Sequence, residues 1–197
     1  MELPIKVKPY KHQQIACNFA IPKLKEQGCA ALLMDMGLGK SFTSIAIMGE
    51  LFLEGLIEKV LVVCPTSIIN VWEKEISKFA DYDYNMELIT GSTMSKRKAK
   101  LISLAHKRGL KIAIINYEAT WRMEKELNIY KPDMIICDES QKIKNPSASQ
   151  SKTLHRLGAK AEYKMILTGT PVQNSPMDIF SQWKFLDPNI FGLSFYA

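Results

Sequence analysis

Seven consecutive residues, Asp35-Met36-Gly37-Leu38-Gly39-Lys40-Ser41, have the types needed to cradle phosphate. Gly37 and Gly39 allow a backbone turn that aims several N–H groups at phosphate oxygens. Lys40 would reach the β- and γ-phosphates of a nucleotide, and the Ser41 hydroxyl would ligate Mg²⁺. The context supports this chemistry. An apolar run over 29–34 leads into the loop and an apolar-rich helical stretch over 42–53 leaves it, so a helix N-terminus adds partial positive charge. The strict phosphate-loop pattern asks for glycine where Met34 stands, and a glycine turn that merely caps a helix is the competing explanation.

About a hundred residues later a second apolar run, 134–137, ends in Asp138-Glu139-Ser140-Gln141. Paired acids at the carboxyl end of a buried strand lie where open α/β sheets bind ligands. Adjacent acids suit phosphoryl transfer because the two tasks differ. Asp138 would hold Mg²⁺, directly or through its water, and Glu139 would orient and deprotonate the attacking water. A solvated Asp-Glu turn is the plainer alternative for this pair taken alone.

These groups need a scaffold, and the chain is patterned for one. Strand-length apolar runs over 29–34, 60–64, 87–89, 112–115, 134–137 and 165–167 alternate with helical stretches near 40–54, 68–79, 95–107, 118–128, 147–158 and 176–186. Such alternation predicts a three-layer α/β/α domain around a mainly parallel sheet. Pro22 is expected to end or kink the first helix and Gly28 to stop it. With 47% apolar and 23% charged residues in 197, the chain reads as one globular domain with a sizeable core. Cys17, Cys29, Cys64 and Cys137 form no CxxC pair, which argues against a disulfide or zinc framework and for a reducing compartment. The opening residues Met1, Glu2, Leu3 and Pro4 show no secretory pattern and no run approaches membrane-spanning length, so a cytoplasmic location (nuclear in a eukaryote) is expected.

Several strings together resemble the Swi/Snf-type branch of the superfamily 2 DNA-dependent ATPases. The glycine loop and the stretch 138–145, Asp-Glu-Ser-Gln-Lys-Ile-Lys-Asn, are similar to that family's first and second motifs. The third motif is resembled by Leu167-Thr168-Gly169-Thr170-Pro171-Val172-Gln173-Asn174, its most specific string here. Residues 62–67 with Trp72 and Glu75 look like motif Ia, and 115–118 like the segment around motif Ib. Residues 9–13 look like the upstream glutamine motif, in which Gln13 would read the adenine edge.

The resemblance implies a RecA-like lobe over 1–197, using ATP and Mg²⁺, with a second RecA-like lobe elsewhere and double-stranded DNA as partner. Lys40, Asp138 and Glu139 would be catalytic; 35–41 would hold the nucleotide. Gln141, Thr168 and Thr170 would couple nucleotide state to DNA grip, and Gln141 stands where many relatives carry histidine. Pro65, Thr66, Ser67, Asn116 and Tyr117 would touch the DNA backbone. Translocation on duplex DNA or remodelling of protein–DNA complexes is the implied activity. Kept beside it are a strand-separating helicase or restriction-type translocase, and an adaptor that binds nucleotide or DNA without hydrolysis. No arginine follows Thr170, so the arginines that in this family reach the γ-phosphate from the second lobe are not expected within this stretch. Lys96, Lys100 and Lys107, in a stretch without acids, read as a solvated helix face in preference to a DNA stripe. Trp72, Trp121 and Trp183 read as core or lobe-interface residues.

Overall fold

The computed structural model describes residues 2–192; Met1 and 193–197, the last five residues of the expected lobe, lie outside them. Six strands form one sheet: β1 Cys29–Leu33, β2 Lys59–Cys64, β3 Tyr84–Leu88, β4 Leu110–Asn116, β5 Met134–Asp138 and β6 Tyr163–Thr168. They are ordered β1-β6-β5-β2-β4-β3 and every pairing is parallel. The expected three-layer α/β/α architecture follows.

Alternation of side chains along each strand divides the core in two. Val60, Val62, Ile112, Ile114, Ile136, Met165 and Leu167 face one layer, built on α1 Lys11–Gln27, α2 Lys40–Leu53 and α3 Ile69–Phe79. Leu61, Val63, Ala113, Ile115, Ile135 and Ile166 face the other, built on α4 Met94–Ala105, α5 Tyr117–Arg122, α6 Glu124–Tyr130, α7 Ser149–Gly158 and α8 Asp178–Leu186. The central strands read as continuous apolar runs because both of their faces are covered.

Four local expectations need correction. Of the two outcomes expected at Pro22, an end of the helix does not occur: α1 continues to Gln27, where left-handed Gly28 stops it as expected. Buried Cys17, Ala20, Ile21 and Leu24 bracket the proline, and their packing outweighs its local cost of roughly 3 kcal/mol. The helix expected over 118–128 is two helices broken at Met123, which is wholly buried at the bend. The third strand starts earlier than its apolar run, at Tyr84, because an edge strand half-open to solvent carries polar residues. Lys107 lies beyond the end of α4 and shares no helix face with Lys96 and Lys100. The Lys100 ammonium donates to the Leu88 carbonyl (2.8 Å), so it ties α4 to β3.

Among the described residues no helix is long and apolar enough to cross a membrane. All four cysteines are free. Burial pushes the Cys17 and Cys64 thiols up to about 12, and raises those of Cys137 and half-buried Cys29. Because thiolate is the reactive form, iodoacetamide at pH 8 should label the native chain slowly and at Cys29 alone, with the other three labelled only after unfolding. Mass spectrometry of labelled peptides checks this; fast labelling of Cys64 or Cys137 in the native chain would contradict the core described above.

Candidate nucleotide site

The site forms where β1, β6 and β5 end side by side. In register, Leu33 of β1 pairs with Thr168 of β6, and Asp138 of β5 pairs with Leu167. The chain leaves β1 toward α2 on one layer and leaves β6 toward α8 on the other, so neighbouring strand ends diverge and open a crevice.

On the β1 side, 34–39 form the loop and Gly39 sits at the cap of α2 in the left-handed region (φ 81°). A Cβ on Gly39 would lie 2.4 Å from Gln13 Nε2, so position 39 needs glycine for both its φ and its neighbour. Gln13 spans two elements: its Oε1 accepts from Tyr10 N–H (2.9 Å) and its Nε2 donates to the Leu38 carbonyl (3.3 Å). His12 also bonds that carbonyl (3.1 Å). Asp35, Met36, Gly37 and Leu38 are exposed, with their backbone forming the rim of the loop. Lys40 is 9% exposed, and its ammonium donates to the carbonyls of Met34 (2.9 Å) and Asp35 (3.2 Å). The loop's own carbonyls hold that charge within the turn. Ser41, the next residue of α2, is half-buried.

On the β5 side, Asp138 is 5% exposed and has a bond on each oxygen. Oδ1 accepts from the Glu139 N–H (2.9 Å) and Oδ2 from the Trp72 indole N–H (2.9 Å). Burial raises its pKa to about 6; the Trp72 bond opposes this, the Glu139 charge adds to it, and the Glu139 N–H bond and Lys40 charge pull it down. Glu139 sits in the left-handed region (φ 53°), a conformation costing a non-glycine residue about 1–2 kcal/mol. The turn Ser140–Ile143 holds it there, with Lys142 N–H donating to the Glu139 carbonyl (3.0 Å).

Between the two, β6 supplies a connected line of hydrogen bonds. Gln141 donates to Glu139 Oε2 (2.7 Å), Thr168 donates to Gln141 Oε1 (2.8 Å), and Thr170 N–H donates to Thr168 Oγ1 (3.0 Å). Thr168 is buried and Thr170 exposed, so the line runs from the second acid to the surface. Gly169 brings β6 against the loop: a Cβ there would lie 3.2 Å from the Met34 carbonyl. Gln182 of α8 braces the arrangement, accepting from Ser140 Oγ (2.6 Å) and donating to the Pro171 carbonyl (2.8 Å).

The residues singled out for DNA fall mostly together. Pro65, Thr66 and Ser67 follow β2, Asn116 ends the neighbouring β4, and Asn116 Nδ2 donates to Thr66 Oγ1 (2.9 Å). Tyr117 is a correction. It is 2% exposed and its hydroxyl donates to the Asp138 backbone carbonyl (2.7 Å), so its side chain supports the acid strand and faces no ligand.

Sequence reasoning missed the roles of Trp72, His12, Gly169, Ser140 and Gln182. Trp72, His12, Ser140 and Gly169 lay inside strings already singled out, which marked their places without showing what they touch. Their partners lie at long sequence separations that no local pattern encodes.

The family model described as the SNF2-related domain matches residues 12–195. The yeast DNA repair and recombination protein RDH54 is 32% identical over 191 residues, covering 84% of this chain and 19% of that protein. Human RAD54B, another DNA repair and recombination protein, is 32% identical over 171 residues, covering 83% of this chain and 18% of that protein. The chain thus spans about a fifth of the length of these curated relatives. The Sulfolobus solfataricus SWI2/SNF2 ATPase core in complex with dsDNA superposes with a TM-score of 0.82 at 29% identity, covering all of this chain and 39% of that one.

The Gly39 geometry yields a stability prediction. Gly37→Ala meets open space at φ 82° and should cost only the left-handed backbone term, about 1–2 kcal/mol. Gly39→Ala adds the clash with Gln13 and should cost more, and removing the side chain in Gly39→Ala/Gln13→Ala should recover part of the difference. Urea unfolding of the three variants checks this; equal losses at positions 37 and 39 would show that Gln13 does not press on the loop.

Proposed function

We propose, from the premise that this chain belongs to the SNF2-related domain family, that it is the ATP-binding lobe of a DNA-dependent ATPase that translocates on double-stranded DNA or remodels protein–DNA complexes. The observation that carries this reading is the hydrogen-bonded line Glu139–Gln141–Thr168–Thr170 running beside the glycine loop. It links a candidate water-activating group to the protein surface. A free-standing phosphate-binding site has no use for such a line.

The residues fit Mg·ATP. The loop is open at Gly37, where nothing lies within 4 Å of a Cβ position, Lys40 stands ready as the cation for phosphate, and Ser41 with the single carboxylate Asp138 matches the sparse oxygen ligation of magnesium at phosphate sites. When bound, magnesium neutralises charge on the phosphates. Glu139 Oε2 is taken by Gln141, leaving Oε1 to accept the proton of an attacking water. Gln13 is tied to the loop it would serve when reading the adenine edge. Thr66, Ser67 and Asn116, with the backbone at Pro65 and Tyr117, would contact DNA phosphates. Completion of the site requires a second RecA-like lobe, whose arginine can contribute about 10³-fold in rate.

Hydrolysis measured with and without duplex DNA, on this chain and on a two-lobed parent, tests the proposal. The chain alone should turn over about a thousandfold more slowly than the parent and respond little to DNA. In the parent, Glu139→Gln should keep ATP affinity and lose roughly 10²–10⁴-fold in turnover. Strong DNA-stimulated turnover by the chain alone, or an unimpaired Glu139→Gln parent, would overturn the reading.

A further inference from the structure

We propose that Trp72 is a positioning residue for magnesium: its indole N–H fixes the orientation in which Asp138 presents a free lone pair to the metal. The inference rests on Asp138 being the metal-holding carboxylate, as argued above, and adds a residue from another element to that site.

The geometry is specific. A carboxylate offers about four acceptor positions on two oxygens. The Glu139 N–H occupies one on Oδ1 and the Trp72 Nε1–H one on Oδ2, each at 2.9 Å, so each oxygen keeps an acceptor position. The Glu139 N–H belongs to the next residue of the same chain segment and moves with Asp138. It cannot fix the carboxylate relative to the rest of the sheet. The indole can, because it comes from α3 in the opposite layer from Ser140–Ile143 and is itself immobilised. Trp72 is 1% exposed, and its helix is anchored one turn to either side by buried Ile69 and Ile76. From below, the Tyr117 hydroxyl holds the Asp138 backbone carbonyl, so backbone and side chain of the acid are each fixed by a different rigid aromatic residue.

A tryptophan that only filled space would also require a partner for its buried N–H, and Asp138 could merely serve as that partner. The two roles differ in what they do to metal. A packing role predicts lost stability with unchanged metal preference. A positioning role predicts lost metal preference, because groups that orient a ligating carboxylate typically contribute 10–100-fold to metal affinity or activity.

ADP binding to the 197-residue chain, measured by calorimetry in saturating magnesium and again in EDTA, separates them. Wild type should bind ADP more tightly in magnesium, and Asp138→Asn should lose that enhancement. Trp72→Phe should weaken binding roughly tenfold or more in magnesium and leave it unchanged in EDTA. Where phenylalanine does not support folding, site-specific replacement of Trp72 by benzothienylalanine, which keeps the ring shape and lacks the donor, gives the same comparison and the same expected result. An enhancement lost in Asp138→Asn yet intact in the donor-free variants would overturn the Trp72 proposal alone. No enhancement in wild type, or an intact one in Asp138→Asn, would overturn the site assignment itself and this proposal with it.

Discussion

Parallel strands present all their carboxyl ends at one edge of the sheet, and the rest of this structure depends on which strand stands between which. Placing β6 between β1 and β5 puts Thr168 one strand from the glycine loop and one strand from the paired acids. A three-strand frame therefore fixes the glycine loop, Asp138 and Glu139 in one register, with a threonine between them. Side chains then need only short reaches. Gly169 can touch the loop backbone because no side chain separates them, and Gln141 can bridge Glu139 to Thr168 because the turn after β5 folds back toward β6.

That arrangement places charge in a buried setting. A carboxylate taken from water is costly unless hydrogen-bonded, and Asp138 shows the residue of that cost as an elevated pKa despite its bonds to Trp72 and Glu139. Lys40 faces the converse problem, solved by two loop carbonyls. Both groups are thus held in place without a direct ion pair between them, so each remains available to a ligand of opposite charge. Glu139 is held differently, by an unfavourable backbone conformation and one amide. Its second oxygen stays free, which the proposed role of accepting a proton from water would need.

Much of this was legible in the sequence where residue type is dictated by chemistry. That the glycine loop and the pair Asp138 and Glu139 stand at strand ends could be read because glycine suits a turn at positive φ and both strings follow apolar runs of strand length. The parallel sheet was legible in the unbroken apolar runs of β2, β4 and β5. Edge strand β3 was read short because a strand with one open side has no such run. Pro22 misled because local propensity favours a break, whereas buried neighbours on both sides of it hold the helix. Tyr117 misled in the other direction: its place beside Asn116 suggested an exposed contact, but the side-chain alternation at the strand end turns it inward beneath Asp138. The Trp72–Asp138 bond joins residues 66 positions apart, and no periodicity could reveal it.

On the proposed function, the loop, the acids and the β6 threonines form one unit that responds to nucleotide. Backbone amide resonances of the isotopically labelled chain, followed during titration with Mg·ADP, test it most directly. Gly37, Gly39, Lys40, Ser41, Asp138, Gln141, Thr168 and Thr170 are expected to shift together with a single affinity, while β3 and the far edge of β4 stay unchanged. Shifts confined to other surfaces, or none at saturating Mg·ADP, would contradict it.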